Sequence, residues 1–294
     1  MTKLGLMAVG TFCAFAAFGG ADETAKKPAS LKVLMIGNSF SAQMVPSMPP
    51  IAKDLGLKLD VCSLYIGGCL LERHWKNICA PTSTPYLVTR ASTGGTKHEA
   101  FAGNIPAVLA SEKWDIVTVQ QGSHLSWKPE SYHPWGDNLV KYIREKAPQA
   151  KIVVHETWSY TPWDGRLAQW KIDQDKMYEK LHAAYADFAE GHGLDVIPTG
   201  TAVQLVRREL PVKYEKNSLG GDVVGSCTFV EEDGKWTPKG DVFHMGRDGN
   251  YLQALVWTAK LFGADVTKCS YAPTGMTAER ADFLRKIAMK SIDR

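Results

Sequence analysis

The apolar positions of this chain fall into two kinds of run. Short, nearly continuous stretches rich in Val and Ile recur at LKVLMI (31–36), LKLDVCSLYI (57–66), WDIVTVQ (114–120), AKIVVHETW (150–158) and LDVIP (194–198). Continuity without alternation is the pattern of strands buried on both faces. Between these stretches the apolar residues spread to helical spacing. Across 167–190, Leu167, Trp170, Met177, Leu181, Tyr185 and Phe188 follow one another at intervals of three, four and seven, the apolar face of an amphipathic helix. Tyr251, Leu255 and Phe262 repeat the pattern over 248–262, and a third helix is expected over 41–55, interrupted by Pro46, Pro49 and Pro50. Buried strands alternating with helices predict an α/β fold of three layers, α/β/α, around a central, mostly parallel five-stranded sheet.

Two segments fit this alternation poorly. Residues 79–104 are rich in Thr, Ser and Gly, and residues 209–240 are Gly-rich and charged, with a strand-like VVGSCTFV and a turn at EEDGKW. Both read as insertions lying over one end of the sheet, within a single domain spanning 31–294.

Composition narrows the partners. The 294 residues are 45% hydrophobic and 22% charged, an ordinary globular balance, and the net charge is only +3 with no basic stripe. That excludes the electrostatic footprint of a nucleic-acid binder. At the N-terminus, MTK leads into LGLMAVGTFCAFAAF, then small residues, then ADETAKKPAS. This is the layout of an export signal over 1–21, cleaved near Gly19 to Ala21, followed by a linker over 22–30. Export places the protein in the periplasm or outside the cell. No other run approaches the roughly 20 apolar residues of a membrane span. The exported chain keeps Cys62, Cys69, Cys79, Cys227 and Cys269. Cys69 with Cys79 and Cys227 with Cys269 are possible disulfides, and one thiol at least is left over. With no CxxC pair and no HExxH, neither a zinc site nor any other cofactor is expected.

In an open α/β sheet, sites form beyond the carboxyl ends of the strands. The candidate strands end in Gly37-Asn38-Ser39, Gly67-Gly68-Cys69, Gln120-Gln121-Gly122-Ser123-His124 and His155-Glu156-Thr157-Trp158, and Asp241 and His244 stand just before the last helix. A serine at a glycine turn, glycine amides, and an Asp three residues before a His are the parts of a hydrolytic Ser-His-Asp site. The imidazole takes the hydroxyl proton, the carboxylate fixes the imidazole, and N–H groups receive the oxyanion. Taken alone, Ser39 reads equally well as a helix N-cap.

In these blocks the chain resembles the SGNH (GDSL-like) hydrolase superfamily, and more closely a bacterial branch known as a domain of unknown function with GNSFS near its start. The resemblance runs from about residue 31 to about 263 and implies a flavodoxin-like SGNH hydrolase fold. VLMIGNSFS matches the first block and implies Ser39 as nucleophile, with its own N–H in the oxyanion hole. Asn38 stands where the superfamily more often has Asp. SLYIGGCLLERHW matches the second block, implying Gly68, or next Gly67, as an oxyanion donor. DVFHMGRDGNYL matches the last block and implies Asp241 and His244 as orienting carboxylate and base. The third block departs: GxND is replaced by VTVQQGSH. Analogy with carbohydrate-esterase branches implies Gln121 as donor, Gln120 remains an alternative, and alignment on Gly122 puts His124 there.

Glu72, His74 and Trp158 are weaker candidates for substrate contact. Glu72 and His74 read foremost as a structural polar pair. Trp127, Trp135, Trp158 and Trp163 lie in loop-like segments, a modest signal for sugar stacking. The expected activity is an exported serine esterase acting on acylated, foremost O-acetylated, carbohydrates or another small ester. The competing expectations are an inactive carbohydrate-binding or accessory protein on the same scaffold, and an acyltransferase or lipase-like enzyme.

Overall fold

The structure is a computed structural model that describes residues 27–80, 85–94, 99–210 and 214–293. The proposed export signal and most of the linker lie outside the described residues. Among the described residues no helix is long and apolar enough to cross a membrane.

The central sheet has seven strands in the order β4-β3-β2-β1-β5-β6-β7. Five of them run parallel and are the five apolar stretches read from the sequence: β1 (Ser30–Gly37), β2 (Lys58–Tyr65), β5 (Ile116–Val119), β6 (Lys151–His155) and β7 (Asp195–Ile197). From Val33 to Gly37 the first strand is wholly buried. The expected count of five is corrected by β3 (Tyr86–Ser92) and β4 (Glu99–Gly103), which add to the edge of β2 as antiparallel strands. The described strands within residues 79–104 therefore extend the sheet sideways. An open edge at β2 would leave a row of unpaired backbone groups, and these two strands cover it.

Helices line both faces. α1 (Ser39–Ala42) and α2 (Met48–Asp54), joined through a 3-10 turn at Val45–Ser47, follow β1; α3 (Leu71–Cys79) follows β2; α4 (Ile105–Ala110) follows β4; and α5 (Trp135–Lys146) follows β5. The single helix expected over 167–190 is two, α6 (Gly165–Trp170) and α7 (Gln174–His192). Lys171 ends the first in the left-handed region at φ 57°, and the Asp173 side chain caps the second by accepting from Lys176 N–H at 2.7 Å. α8 (Thr199–Glu209) follows β7, and α9 (Arg247–Phe262) packs against α2, α8 and a C-terminal helix, α10 (Ala278–Ile292), that periodicity alone had not marked. Beyond α8, residues 224–245 form a hairpin arm. β8 (Val224–Glu232) and β9 (Lys235–Met245) make a separate two-stranded antiparallel sheet turning at Asp233 and Gly234.

Neither suggested disulfide forms. All five described cysteines are free. The Cys69 thiol lies buried, 3.6 Å from His74 Nδ1, whereas Cys79 sits exposed at the end of α3.

Candidate active site

Register brings the first three blocks to one level. Gly37 of β1 is opposite Tyr65 of β2, and Ile36 is opposite Val119 of β5, so the chain leaves the sheet together at Asn38, Ile66 and Gln120. Gly37 has no room for a side chain, since a Cβ there would meet Ser41 Oγ at 2.3 Å. The cap of α1 is Asn38. Its Oδ1 accepts from Phe40 N–H at 2.9 Å, and its Nδ2 donates to the Cys69 carbonyl at 3.1 Å. With the capping role taken by its neighbour, the Ser39 hydroxyl is released for another partner, which decides between the two readings of GNSFS.

That partner is His244. Its Nε2 stands 2.7 Å from Ser39 Oγ, and its Nδ1 stands 2.5 Å from Asp241 Oδ2. The other Asp241 oxygen accepts the backbone N–H groups of Phe243 and His244 at 2.9 and 2.8 Å. Partial burial raises the Asp241 pKa, but these two N–H donors and the imidazole outweigh it and hold the carboxyl below its ordinary value. Such a chain can pass the hydroxyl proton to Nε2 while Nδ1–H stays on the carboxylate.

A bulge aims His244. Ser226 pairs with Asp241 and Val224 with Met245, so three β9 residues, Val242 to His244, stand opposite Gly225 alone. Gly225 has φ +102°, open to glycine, and a Cβ there would lie 2.9 Å from the Leu219 side chain. The surplus residues bend out of the ladder towards Ser39. Side chains from the loop after β6 hold them there: Trp158 Nε1 donates to the Phe243 carbonyl at 2.9 Å and Thr161 Oγ1 to the Val242 carbonyl at 2.7 Å. Phe40 stacks on Trp158 with centroids 4.1 Å apart and meets His244 edge-on at 5.3 Å. The Arg166 guanidinium packs into the angle between two tilted rings, 4.1 Å from Tyr160 and 4.3 Å from Phe243, and is paired with Asp164. Sequence reasoning missed Arg166 and Phe243. Phe243, beside the candidate base inside DxxH, was the available signal; Arg166 had none.

The Ser39 and Gly68 N–H groups bond to no protein acceptor among the described residues, and Gly68 turns at φ +58° in an exposed loop. Gly67 is exposed beside it.

The two glutamines do not join them, which corrects the expected oxyanion role of Gln120 and Gln121. Gln120 Nε2 donates to Asn38 Oδ1 at 2.8 Å, and its Oε1 accepts from His155 Nδ1 at 2.8 Å. His155 is fully buried, which pushes its pKa down to about 3. Its Nδ1–H therefore points at Gln120, and its bare Nε2 accepts from Gln253 Nε2 at 3.3 Å; the same amide also donates to the Phe40 carbonyl at 2.7 Å. A buried polar network thus lies beneath the Ser39 turn, its Gln253 Oε1 without a partner among the described residues. Gln121 Nε2 donates to Ser131 O and Oγ at 2.8 and 3.0 Å, while its Oε1 accepts from Leu71 N–H and Gly122 N–H at 3.1 and 2.8 Å. Both amides are structural ties. His124 is half-buried and bonds to nothing in the protein among the described residues.

Substrate contact is not supported for Trp158 or His74, and Glu72 and His74 do not form the polar pair read for them. Trp158 is 0% exposed and offers no face to a sugar ring. His74 is completely buried against Tyr86 Oη at 2.8 Å, its pKa pushed down to about 3 by burial. Glu72 points outward and pairs with Lys76 on the same helix at 2.5 Å. Trp127, Trp135 and Trp163 remain half-buried, and Trp163 meets Phe229 of the hairpin edge-on at 5.0 Å.

A cavity of about 710 Å³ lies between α6 and α8, lined by Gln174, Gln204, Arg207 and Tyr214 among others, away from Ser39. Among the described residues no group of three or more His, Cys, Asp or Glu side chains is arranged to hold a metal ion.

No curated protein matches the chain. Among solved structures it is similar to a DUF4886 family protein from Bacteroides uniformis, at 29% identity over 90% of this chain and 95% of that one, with a TM-score of 0.76. At lower identity it shares its fold with a candidate SGNH hydrolase from Slackia heliotrinireducens (20% identity, 79% of this chain and 98% of that one, TM-score 0.53). It also shares its fold with an acetyl xylan esterase (11% identity, 78% and 99%, TM-score 0.50). The family model described as Domain of unknown function (DUF4886) matches residues 32–221, and this chain, with its SGNH-hydrolase fold, belongs to that family.

Proposed function

We propose that the protein is a serine esterase that removes acyl groups, foremost O-acetyl, from carbohydrates. The observation that carries this reading is the unbroken chain from Ser39 Oγ through His244 to Asp241, at 2.7 and 2.5 Å. His244 Nε2 takes the hydroxyl proton as Ser39 Oγ bonds to the ester carbonyl carbon. The carbonyl oxygen gains the negative charge and receives the N–H groups of Ser39 and Gly68. The C–O bond to the sugar breaks, and the proton on His244 goes to the leaving alkoxide. Water then repeats the sequence on the acyl-enzyme, releasing the carboxylic acid and restoring Ser39. Asp241, kept ionised by its three donors, holds His244 with Nε2 towards Ser39 throughout. No step calls for a cofactor.

The sugar half rests on the setting. Ser39 is partly exposed beside the hairpin arm, with Trp163 and Phe229 half-exposed on its flank, an open rim suited to a bulky polar substrate. The export signal read from residues 1–21 places the enzyme where such polymers are met. An intact proton chain favours an enzyme over a binding protein that has lost its chemistry.

Purified protein should release acetate from an aryl acetate and from an acetylated polysaccharide, and a fluorophosphonate should label Ser39. Ser39→Ala should lower kcat by about 10⁴-fold or more with the fold unchanged. Full activity in that variant sinks the assignment.

A further inference from the structure

The rings that pack around the base continue outward from it as a line. Centroid to centroid, Phe243 lies 4.2 Å from His244 and 5.6 Å from Tyr160, Tyr160 lies 5.9 Å from Trp170, and Trp170 lies 5.4 Å from Trp127. Tyr160 is wholly buried, but Phe243, Trp170 and Trp127 each keep part of their surface in solvent. They come from three separate segments, β9, α6 and the loop after β5.

Cations lie along the same line. Arg166 packs on Tyr160 and Phe243 at its inner end, and at its outer end Lys128 and Lys180 place their Nζ atoms 5.0 and 5.7 Å from the Trp127 ring. Arg166 and Trp170 are four residues apart on α6 and so share a helix face. The positive charges of Arg166 and Lys128 both reach the His124 ring and, after burial, lower its pKa, which ties the inner and outer cations to one patch. Asp164 takes only part of the Arg166 fork. Nε and Nη2 donate to its two oxygens at 2.8 and 2.6 Å, and Nη1 has no protein partner among the described residues. Neither lysine pairs with a carboxylate among the described residues. The whole chain carries a net charge of only +3, so this surplus is local.

We infer that this strip is a substrate subsite for an acidic polysaccharide, whose uronate carboxylates meet Lys128, Lys180 and Arg166 while its sugar rings lie along Trp127 and Trp170. The inference rests on the esterase reading and narrows its substrate. The acetylated sugar sits at Ser39 and His244, and the rest of the polymer runs outward past Phe243. Indole faces suit the apolar faces of sugar rings whatever the charge of the polymer. Unpaired ammonium groups beside them add a preference for anions, through charge complementarity that a neutral polymer does not use. Lysine suits this outer position, because a point charge on a flexible stem can follow carboxylates whose spacing along a polymer varies. Arg166, held in place by Asp164 and two rings, offers a fixed N–H pair next to the reacting sugar.

The test measures acetate release from an aryl acetate, an acetylated polygalacturonate and an acetylated glucomannan. It compares wild type with Ser39→Ala, Lys128→Gln/Lys180→Gln and Lys128→Arg/Lys180→Arg, and records the melting temperature of each. Wild type should favour the polygalacturonate over the glucomannan by about tenfold or more in kcat/KM, and raising salt from about 20 to about 300 mM should erase most of that preference. The glutamine variant should lose about tenfold on the polygalacturonate, through KM, and stay within about twofold of wild type on the other two substrates. The arginine variant, which keeps both charges, should keep the preference. Should the glutamine variant fold poorly, the salt dependence of wild type carries the contrast alone. Equal rates on the two polymers, activity on neither, a preference indifferent to salt, or one that a folded glutamine variant retains overturns the inference. So does a loss in that variant that is as large on the aryl acetate. In each case turnover of the aryl acetate by wild type leaves the esterase reading intact. A wild type inactive on all three substrates, or Ser39→Ala with full activity, removes both.

Discussion

The two halves of the candidate site are built on opposite principles. Ser39 stands at the end of β1, a strand buried from Val33 to Gly37 and paired on both sides, above a buried network of Asn38, Gln120, His155 and Gln253. Asp241 and His244 stand on β9, in a two-stranded arm whose outer residues are mostly exposed. The first is located by register in a packed core. The second is located by a bulge and by side chains reaching across to it, namely Trp158, Thr161 and Arg166. Position in the first half is a matter of global stability. In the second it is local and adjustable.

The largest effect should come from cutting the link inside the arm. Asp241→Asn replaces the oxygen that accepts His244 Nδ1–H with an amide. It should cost about 10⁴-fold in kcat while melting temperature barely moves, measured by aryl acetate turnover and calorimetry. A kcat within tenfold of wild type would mean that Asp241 does not orient the base. In the sheet half the balance reverses. Gln120→Ala leaves His155 Nδ1–H without an acceptor, at about 1–3 kcal/mol for that buried orphan, while Asn38 Oδ1 keeps only the Phe40 N–H. A fall of several degrees in melting temperature is expected, at about 2–4 °C per kcal/mol, and an unchanged value would show the network to be dispensable.

Arg166→Met keeps much of the stem but removes the charge packed against both the Tyr160 and Phe243 rings. It should lower kcat by about tenfold or less, with the core's melting unaffected. Loss of stability without loss of rate would place Arg166 in the wrong half of the comparison. The smallest effect is one of pH. Glu156, buried at the carboxyl end of β6, accepts from His182 Nδ1 at 2.7 Å and holds that imidazole above its ordinary 6.5. The pair therefore stabilises the fold in full below 6.5 and loses that contribution as pH rises through the higher folded value. His182 is half-exposed, so the gain is modest. His182→Gln should melt below wild type in acid and approach it in mild alkali; a gap that grows with pH would reverse the assignment.

The sheet half was the more legible in sequence. Apolar runs located the five parallel strands because burial on both faces leaves little room for polar residues. Polar and glycine blocks at their ends marked Ser39 and Gly68 as candidates, and the residues before the last helix marked Asp241 and His244, which hydrogen bonds join to Ser39. What could not be read was the direction of side chains one residue apart. Gln120 and Gln121 sit at the same strand end, yet one turns under Ser39 to Asn38 and the other away to Ser131, a choice made by distant partners. Trp158 read as a surface candidate because loops are usually exposed, and tertiary packing buried it; His74 is buried as its structural reading had it, but its partner is Tyr86, not Glu72. β3 and β4 were hidden because their Thr- and Gly-rich segment owes its strands to the free edge of β2 more than to its own composition.

The bulge opposite Gly225 has one more consequence, for evolvability. It fixes where His244 points at the root of the arm, and beyond it the ladder from Ser226–Asp241 to Glu232–Lys235 can lengthen or shorten by whole rungs without moving the base. The Asp233–Gly234 tip is free to carry new loops of any length. Placement and reach are thereby uncoupled: the arm can change length while the hydrogen-bonded chain from Ser39 through His244 to Asp241 stays as it is.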